Sequence, residues 1–319
     1  MPEVDERKLL SLVIPVYNEE RTVAALFESL DRSLAGLELR HEIVLVDDGS
    51  LDATWHLLKE IAADRESVTL LRFTRNFGKE AAIMAGLEAC TGDAAIVLDA
   101  DLQHPPDLLS RMTEHWLAGE ADVIDAVKTD DQNAPVIDRF TSFWFNRLFH
   151  RFTGHDVRGA SDYKLLDRRV IDVLAGIRDY NLFFRGTTLW LGFRHKELGF
   201  PLGPRSGGRG KWNTLRRLEL AITAITSFTA LPLHLMSVVG VIFALWAVFH
   251  GAHTLYNKFS GQAVEGFTTV ILLLLIIGSI ITIGLGIIGA YLSKIHDEVR
   301  DRPRYLVGEV VRPGESSAD

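Results

Sequence analysis

The chain has a single cysteine, Cys90. No intramolecular disulfide and no cysteine-based zinc site can form, which leaves Cys90 the role of small filler on a helix face. An excess of basic residues is also lacking. The net charge of −8 argues against a general nucleic-acid binder, because the phosphate backbone rewards a basic surface. Met1–Lys8 is charged and has no apolar core, so it does not read as a signal peptide, and the larger part of the chain is expected to fold in the cytoplasm. There is no internal repeat. Neither Gly-x-Gly-x-x-Gly nor Gly-x-x-x-x-Gly-Lys-Ser/Thr follows the first apolar strand, which excludes a dinucleotide fold and a P-loop. Finally, two late stretches, Leu231–Tyr256 and Phe267–Leu292, contain no Asp, Glu, Lys or Arg at all.

With 319 residues and 47% hydrophobic content, there is room for one sizeable domain and something more. Apolar strands are expected at Leu10–Tyr17, His41–Val46, Val68–Phe73, Ala94–Leu98 and Asp122–Val127. Helices are expected from Asn18-Glu19-Glu20 to about Leu34, over Ala53–Ala63 and Lys79–Cys90, and from Pro106 to about Leu117. Ala82, Ala85, Gly86 and Ala89 give the third helix a small-residue face for close packing on a sheet. Strands alternating with helices of this length predict an α/β, doubly wound, mostly parallel sheet.

The centre of this arrangement is Val97-Leu98-Asp99-Ala100-Asp101-Leu102-Gln103-His104-Pro105-Pro106. A buried strand ends in oxygen-bearing side chains at alternate positions, and the two prolines stop it. While the backbone stays extended, Asp99, Asp101 and Gln103 share one face, at the carboxyl end of a strand where open α/β sheets bind ligands. Hard oxygen donors suit Mg²⁺ or Mn²⁺ shared with phosphates. The plain alternative is a strand-to-helix turn capped by Asp107 or Asp101. The first turn carries Pro15, Tyr17 and Glu19, and the second strand ends in Asp47-Asp48-Gly49-Ser50. Together they offer a ring to pack on a base and carboxylates for ribose or base N–H groups; a simple Asx turn is the competing reading of the second segment.

Ile14-Pro15-Val16-Tyr17-Asn18-Glu19, Val46-Asp47-Asp48-Gly49-Ser50, Arg75-Asn76-Phe77-Gly78-Lys79 and the Asp99–Pro106 segment, in this order, resemble the family 2 glycosyltransferases with a GT-A fold. The last motif is similar to the polyprenyl-phosphate branch, which includes dolichol-phosphate mannose synthase and bacterial undecaprenyl-phosphate glucosyltransferases. The resemblance covers nearly the whole chain. It implies that Pro15, Tyr17, Glu19, Val46 and Asp48 hold the nucleoside and that Asp99 and Ala100 approach the ribose and phosphate. Asp101 and Gln103 would ligate the metal, with Asp99 as a further candidate. Lys128 stands where many relatives have Arg, so a phosphate contact there would be a point charge rather than a fork.

Asp138–Arg158 is basic and aromatic. It reads either as a buried amphipathic helix with solvated arginines or as a surface meeting anionic headgroups, and Arg139, Arg151 and the later Ser161 are the candidate contacts to a lipid phosphate. Gly159–Arg169 resembles the family segment that brings an acidic residue, here Asp162, to the reacting centre. Asp162 could instead cap a helix starting near Arg168. Phe200–Trp212, rich in glycine and carrying Arg205, Arg209 and Lys211, is either a linker or a lid. The resemblance supports Arg205 and Lys211 as its diphosphate contacts. Asn213–Phe228 is amphipathic and suits the membrane interface.

The two uncharged stretches each exceed the roughly 20 residues needed to span hydrocarbon. Arg216 and Arg217 precede the first, and Lys294, Arg300, Arg302 and Arg304 follow the second. The positive-inside rule therefore expects both termini in the cytoplasm and the protein in the inner or plasma membrane. Gly278, Thr282, Gly286 and Ala290 permit close helix contact within or between subunits; a homo-oligomer, a tetramer among the options, is expected. The resulting domain plan is a catalytic domain at 1–212, an interfacial helix at 213–230, a transmembrane hairpin at 231–292 (about 231–256 and 267–292) and a cytoplasmic tail at 293–319. Tyr305–Val311 is expected as a strand docking on the same or a neighbouring subunit.

The resemblance implies an inverting, metal-dependent transfer of a sugar to undecaprenyl or another polyprenyl phosphate at the cytoplasmic face, with UDP-glucose the first expectation as donor. GDP-mannose, UDP-N-acetylglucosamine and a UDP-aminoarabinose derivative are alternatives, as is an idle membrane scaffold that keeps the nucleotide fold. A processive polysaccharide synthase would carry Gln-x-x-Arg-Trp, which is absent.

Overall fold

The computed structural model describes residues 8–37, 39–100, 105–128, 160–177, 179, 182–200, 231–260, 266–300 and 302–313. The chain forms two compact units, one of Met1–Lys211 with Pro303–Asp319 and one of Trp212–Arg302. The elements of the first unit are β1 (Leu9–Val16), α1 (Val23–Leu34), β2 (Arg40–Asp47), α2 (Thr54–Ala62), β3 (Val68–Phe73), α3 (Lys79–Ala89), β4 (Ala94–Val97), α4 (Pro106–Leu117), β5 (Val123–Lys128), β6 (Ala160–Asp167), α5 (Arg168–Gly176), α6 (Phe184–Trp190), β7 (His195–Phe200) and, from the far end of the chain, β8 (Val307–Val311).

They build one eight-stranded sheet in the order β7-β5-β6-β4-β1-β2-β3-β8. β1 pairs in parallel with both β2 and β4. The chain thus winds outward through β2 and β3, then returns to the other side of β1 for β4. That reversal is the topological switch point, where a crevice opens at the carboxyl ends of the strands. β6 lies antiparallel between β4 and β5, so the sheet is mixed rather than wholly parallel, and β5 runs in the same direction as β4.

The alternation of β1 explains the two-sided core. Leu10, Leu12 and Ile14 pack with Leu26, Leu58 and Leu108 on one face, and Val13 packs with Ala82, Ala85 and Ile171 on the other, as period-two side chains require. On the second face, a Cβ at Gly86 would lie 2.3 Å from Val13 Cγ1, so α3 approaches the sheet through the small-residue face expected of it. Ala89 is not part of that face; it is exposed. Cys90 is buried at the C-cap of α3. The N-cap of α5 is Asp167, whose carboxylate accepts from Arg169 N–H, so capping does not explain Asp162. α4 begins with no side-chain cap hydrogen bond. β8 pairs antiparallel with β3 of its own chain, which makes the end of the tail part of this sheet.

The second unit contains α7 (Leu231–Phe259) and α8 (Phe267–Val299), which run past the expected ends at Tyr256 and Leu292. Both are long and apolar enough to cross a membrane by length and composition. Their close approach is at Gly284, where a Cβ would sit 2.9 Å from Met236 Cε. Gly278 and Gly286 have open space beside them, so the expected stripe is not the contact within this chain.

Candidate active site

Around the switch point, three strand ends contribute polar groups. β1 ends before Tyr17, whose side chain is on the surface at 41% exposure. Asn18 follows in a left-handed conformation with φ 54°, a cost that Asn tolerates better than most residues. Its side chain accepts from Leu51 N–H at 2.9 Å, and its own N–H donates to Ser50 Oγ at 2.9 Å. The β1 and β2 turns are thereby locked together. Glu19 accepts from Thr22 Oγ1 at 2.6 Å. Asp48 is buried and accepts from the N–H groups of Phe77 and Gly78 at 2.7 and 3.0 Å. Burial pushes its carboxyl up, with these two donors working against the rise. Gly49, at φ 69°, is required by close packing, since a Cβ there would lie 2.5 Å from the Arg75 carbonyl carbon. Beside these turns is a cavity of about 450 Å³ whose lining includes Tyr17, Ser50, Arg72, Arg75 and Glu309.

The end of β4 leads to a cluster of charges. Lys79 Nζ, from the first turn of α3, bridges Asp99 Oδ1 and Asp162 Oδ2 at 2.6 Å each. Arg185 of α6 grips the same Asp162 carboxylate with Nε at 2.5 Å and Nη2 at 2.9 Å. Asp162 is 5% exposed. Burial alone would raise its carboxyl, but Arg185 and Lys79 outweigh that and hold it well below the usual carboxylate range. Asp162 is therefore an ionised anchor with its oxygens already engaged, rather than a free base. Next to it, Glu80 is pushed up to about 7, first by burial and then by the Asp162 charge, despite the Phe184 N–H donated to it at 3.0 Å.

A second charged group reaches the backbone of α6, the helix that carries Arg185. Lys164, fully buried on β6, pairs with Asp125 of β5, and His195 Nδ1 of β7 meets the other Asp125 oxygen at 2.6 Å. His195 Nε2 faces the Thr188 carbonyl at 3.3 Å, and Thr188 Oγ1 donates to the Arg185 carbonyl at 3.0 Å. Burial would raise Asp125, yet His195 and Lys164 bring it below its ordinary value.

Of the residues expected from sequence to hold the nucleoside, Tyr17 lines the cavity, and Glu19 and Asp48 sit in the two turns beside it without lining it. Pro15, Val46 and Ala100 are buried, and Val46 faces α3 across from Gly86, so any contact it makes to a nucleoside is through backbone atoms. Asp99 and Asp162 meet through Lys79. Lys128 ends β5, opposite Phe200, at the same sheet edge as Asp99. Ser161, expected as a lipid-phosphate contact, is buried on β6, and its hydroxyl donates to the Ala126 carbonyl at 2.6 Å. Asp101, Gln103, Arg139, Arg151, Arg205 and Lys211 lie outside the described residues, and among the described residues no group of three His, Cys, Asp or Glu side chains could hold a metal. Sequence reasoning missed Arg185, Glu80 and the Lys164–Asp125–His195 group. Lys79 stood inside a quoted motif with no role attached to it.

The chain is a glycosyltransferase. Residues 11–174 match glycosyl transferase family 2, and the chain belongs to that family. Among its relatives, the prophage bactoprenol glucosyl transferase homolog of Escherichia coli (strain K12) is 33% identical over 303 residues, covering 94% of this chain and 99% of the relative. The bactoprenol glucosyl transferase of Shigella phage SfX is 33% identical over 300 residues, covering 93% and 98%. In fold alone, the chain is similar to mannosyl-3-phosphoglycerate synthase from Rubrobacter xylanophilus, with a TM-score of 0.50, 17% identity, and coverage of 68% of this chain and 71% of that one.

Proposed function

We propose that this glycosyltransferase moves a sugar, glucose from UDP-glucose in the first instance, to a polyprenyl phosphate at the cytoplasmic face of a membrane, with inversion at the anomeric carbon. The observation that carries the reading is the Asp99–Lys79–Asp162–Arg185 cluster at the switch point. Alongside it, the names of the bactoprenol glucosyl transferase relatives support the lipid acceptor. A phosphate oxygen of the acceptor forms the new bond to the anomeric carbon as the bond to the nucleoside diphosphate breaks. A phosphomonoester has a second pKa of about 6, so the nucleophile is already largely anionic and requires no strong base. Asp162 accordingly acts as a positioning residue, fixing Lys79 and Arg185 where negative charge accumulates.

The cavity beside Tyr17 takes the nucleoside. Hard oxygen donors at Asp99, Asp101 and Gln103 fit a divalent ion, Mg²⁺ or Mn²⁺, which when bound supplies neutralisation of the departing diphosphate. Arg205 and Lys211 contact that diphosphate and help exclude water, and Arg139 and Arg151 are the contacts to the lipid phosphate. α7 and α8 form a membrane hairpin with both chain ends cytoplasmic, favoured by the flanking arginines and lysines; the working form is a homo-oligomer.

The test is to incubate the detergent-purified protein with undecaprenyl phosphate and a panel of labelled nucleotide sugars. Label is expected in the lipid phase from UDP-glucose. Transfer from another donor alone would correct the sugar, and transfer from none would overturn the reading in favour of an idle scaffold.

A further inference from the structure

The helix that carries Arg185, α6, is seven residues long, too short to hold itself in place in water. What fixes it comes from outside. At its start, the Phe184 side chain is fully buried, and the Phe184 N–H donates to Glu80 Oε2 of α3 at 3.0 Å. At its end, Gly192 turns the chain aside at φ 71°. Leu191 N–H donates to the Thr187 carbonyl at 3.1 Å and Gly192 N–H to the Leu189 carbonyl at 3.3 Å. The carbonyl between them, that of the fully buried Thr188, faces His195 Nε2 at 3.3 Å. A carbonyl only accepts, so Nε2 is the donor. His195 thus serves one of the helix-end carbonyls that the last turn cannot serve itself.

The ring is itself aimed. His195 opens β7 opposite Val123. Asp125, two residues along β5 and on the same face, meets its Nδ1 at 2.6 Å. Lys164 lies directly across from Asp125 on β6 and pairs with its other oxygen. Together these partners keep Asp125 ionised despite its burial. Stability does not account for the group, because a buried ion pair is often no better than apolar side chains of the same volume. What the group adds is direction: Asp125 fixes which nitrogen of His195 points at α6. We propose that His195 is a positioning residue for sugar transfer, holding α6 through the Thr188 carbonyl so that the fork of Arg185 meets Asp162. Thr188 Oγ1 donates to the Arg185 carbonyl at 3.0 Å, so a shift at Thr188 is passed to Arg185 within one helical turn. Arg185 reaches Asp162 with Nε at 2.5 Å and Nη2 at 2.9 Å, and a two-pronged contact of this kind tolerates little movement of the helix beneath it. The inference rests on the transfer reading for the reaction that Arg185 serves; the link from His195 to Arg185 stands on the contacts alone.

The experiment uses full-length protein in detergent as wild type, His195→Phe, Arg185→Ala and the double variant. Phenylalanine fills the space of the imidazole without supplying a donor. With undecaprenyl phosphate and UDP-glucose, His195→Phe is expected to lower kcat by about tenfold and to leave both KM values within about twofold, since alignment rather than binding is lost. His195→Gln, which keeps an N–H donor, should recover most of that loss. In the Arg185→Ala background, adding His195→Phe should cost less than about twofold, because residues that act as a unit are not additive. An unchanged kcat in a folded His195→Phe protein, a raised KM in place of a lowered kcat, or the same loss repeated on top of Arg185→Ala would overturn the inference. The same proteins are also melted. The drop in Tm on His195→Phe should shrink once Arg185 is gone, and equal drops in the two backgrounds would refute the link. If Arg185→Ala does not fold, Arg185→Gln takes its place in both arms. If the wild type transfers no sugar, the transfer reading fails, while the melts still decide whether His195 holds Arg185.

Discussion

Replacing Asp162 with Asn tests the charged cluster at its centre. The wild-type carboxylate accepts two bonds from Arg185 and one from Lys79. An amide keeps one acceptor oxygen and turns its NH₂ toward a cation. Removing one member of a buried ion pair costs about 3–5 kcal/mol. Here the Arg185 and Lys79 side chains are 38% and 41% exposed and can turn partly to water, so we expect less than that, about 2–3 kcal/mol. For a unit of this size that is a drop in Tm of about 4–12 °C. Turnover should fall about 100-fold, because Lys79 and Arg185 lose their alignment, while KM for the donor changes little. Because the folded-state pKa of Asp162 is depressed, its contribution is present at neutral pH and is lost only as pH falls below the ordinary aspartate range. The carboxylate itself should therefore add no titration step between pH 5 and pH 8; a step in the gap there comes from Glu80, whose carboxyl the Asp162 charge helps to raise. Calorimetry or a thiol-dye melt in detergent, with steady-state kinetics on the same sample, reads both effects. A variant as stable and as active as wild type would refute the assignment of Asp162 as the anchor.

Other perturbations separate the parts of the account. The Glu80 carboxyl is raised to about 7 in the fold, so its folded form holds the proton more tightly than the unfolded chain; stability should decline from about pH 4.5 up through 7, by roughly 3 kcal/mol. Glu80→Gln should flatten that slope in melts taken across this range. Asp101→Asn, or excess chelator on the wild type, should cut turnover by orders of magnitude and leave membrane binding intact; full activity in chelator would exclude a required metal. A cysteine at Ser260 should react with an impermeant thiol reagent from outside the cell and one at Ser316 should not, with Cys90 silent because it is buried; the reverse pattern would overturn the topology.

The residues proposed to hold the donor could be placed at strand ends from sequence because that signal is local. Tyr17, Asp48 and Asp99 each sit at the end of an apolar strand, and strand ends can be read from alternation and turn residues. The five strands from Leu10 to Val127 and the four helices between them follow from the same pattern. What escaped is long-range. Arg185 reaches Asp162 across 23 positions and Lys79 reaches it across 83, and no periodicity links such positions. β6 was hidden because Ser161, Asp162 and Lys164 look polar, although all three are buried. Their burial is made tolerable only by Ala126, Arg185 with Lys79, and Asp125, partners that appear once the sheet is assembled. Likewise, Tyr305–Val311 reads as a strand from its composition, but its pairing with β3 cannot be read from spacing.

In the proposed reaction a phosphate oxygen on a polyprenyl lipid attacks the sugar directly. The decisive measurement compares undecaprenyl phosphate with undecaprenol as acceptor for the purified protein and labelled UDP-glucose, followed by determination of the product's anomeric configuration. Label is expected to pass only to the phosphorylated lipid, giving a β-linked product from the α-linked donor. Equal labelling of undecaprenol, or an α-linked lipid phosphate product, would contradict it.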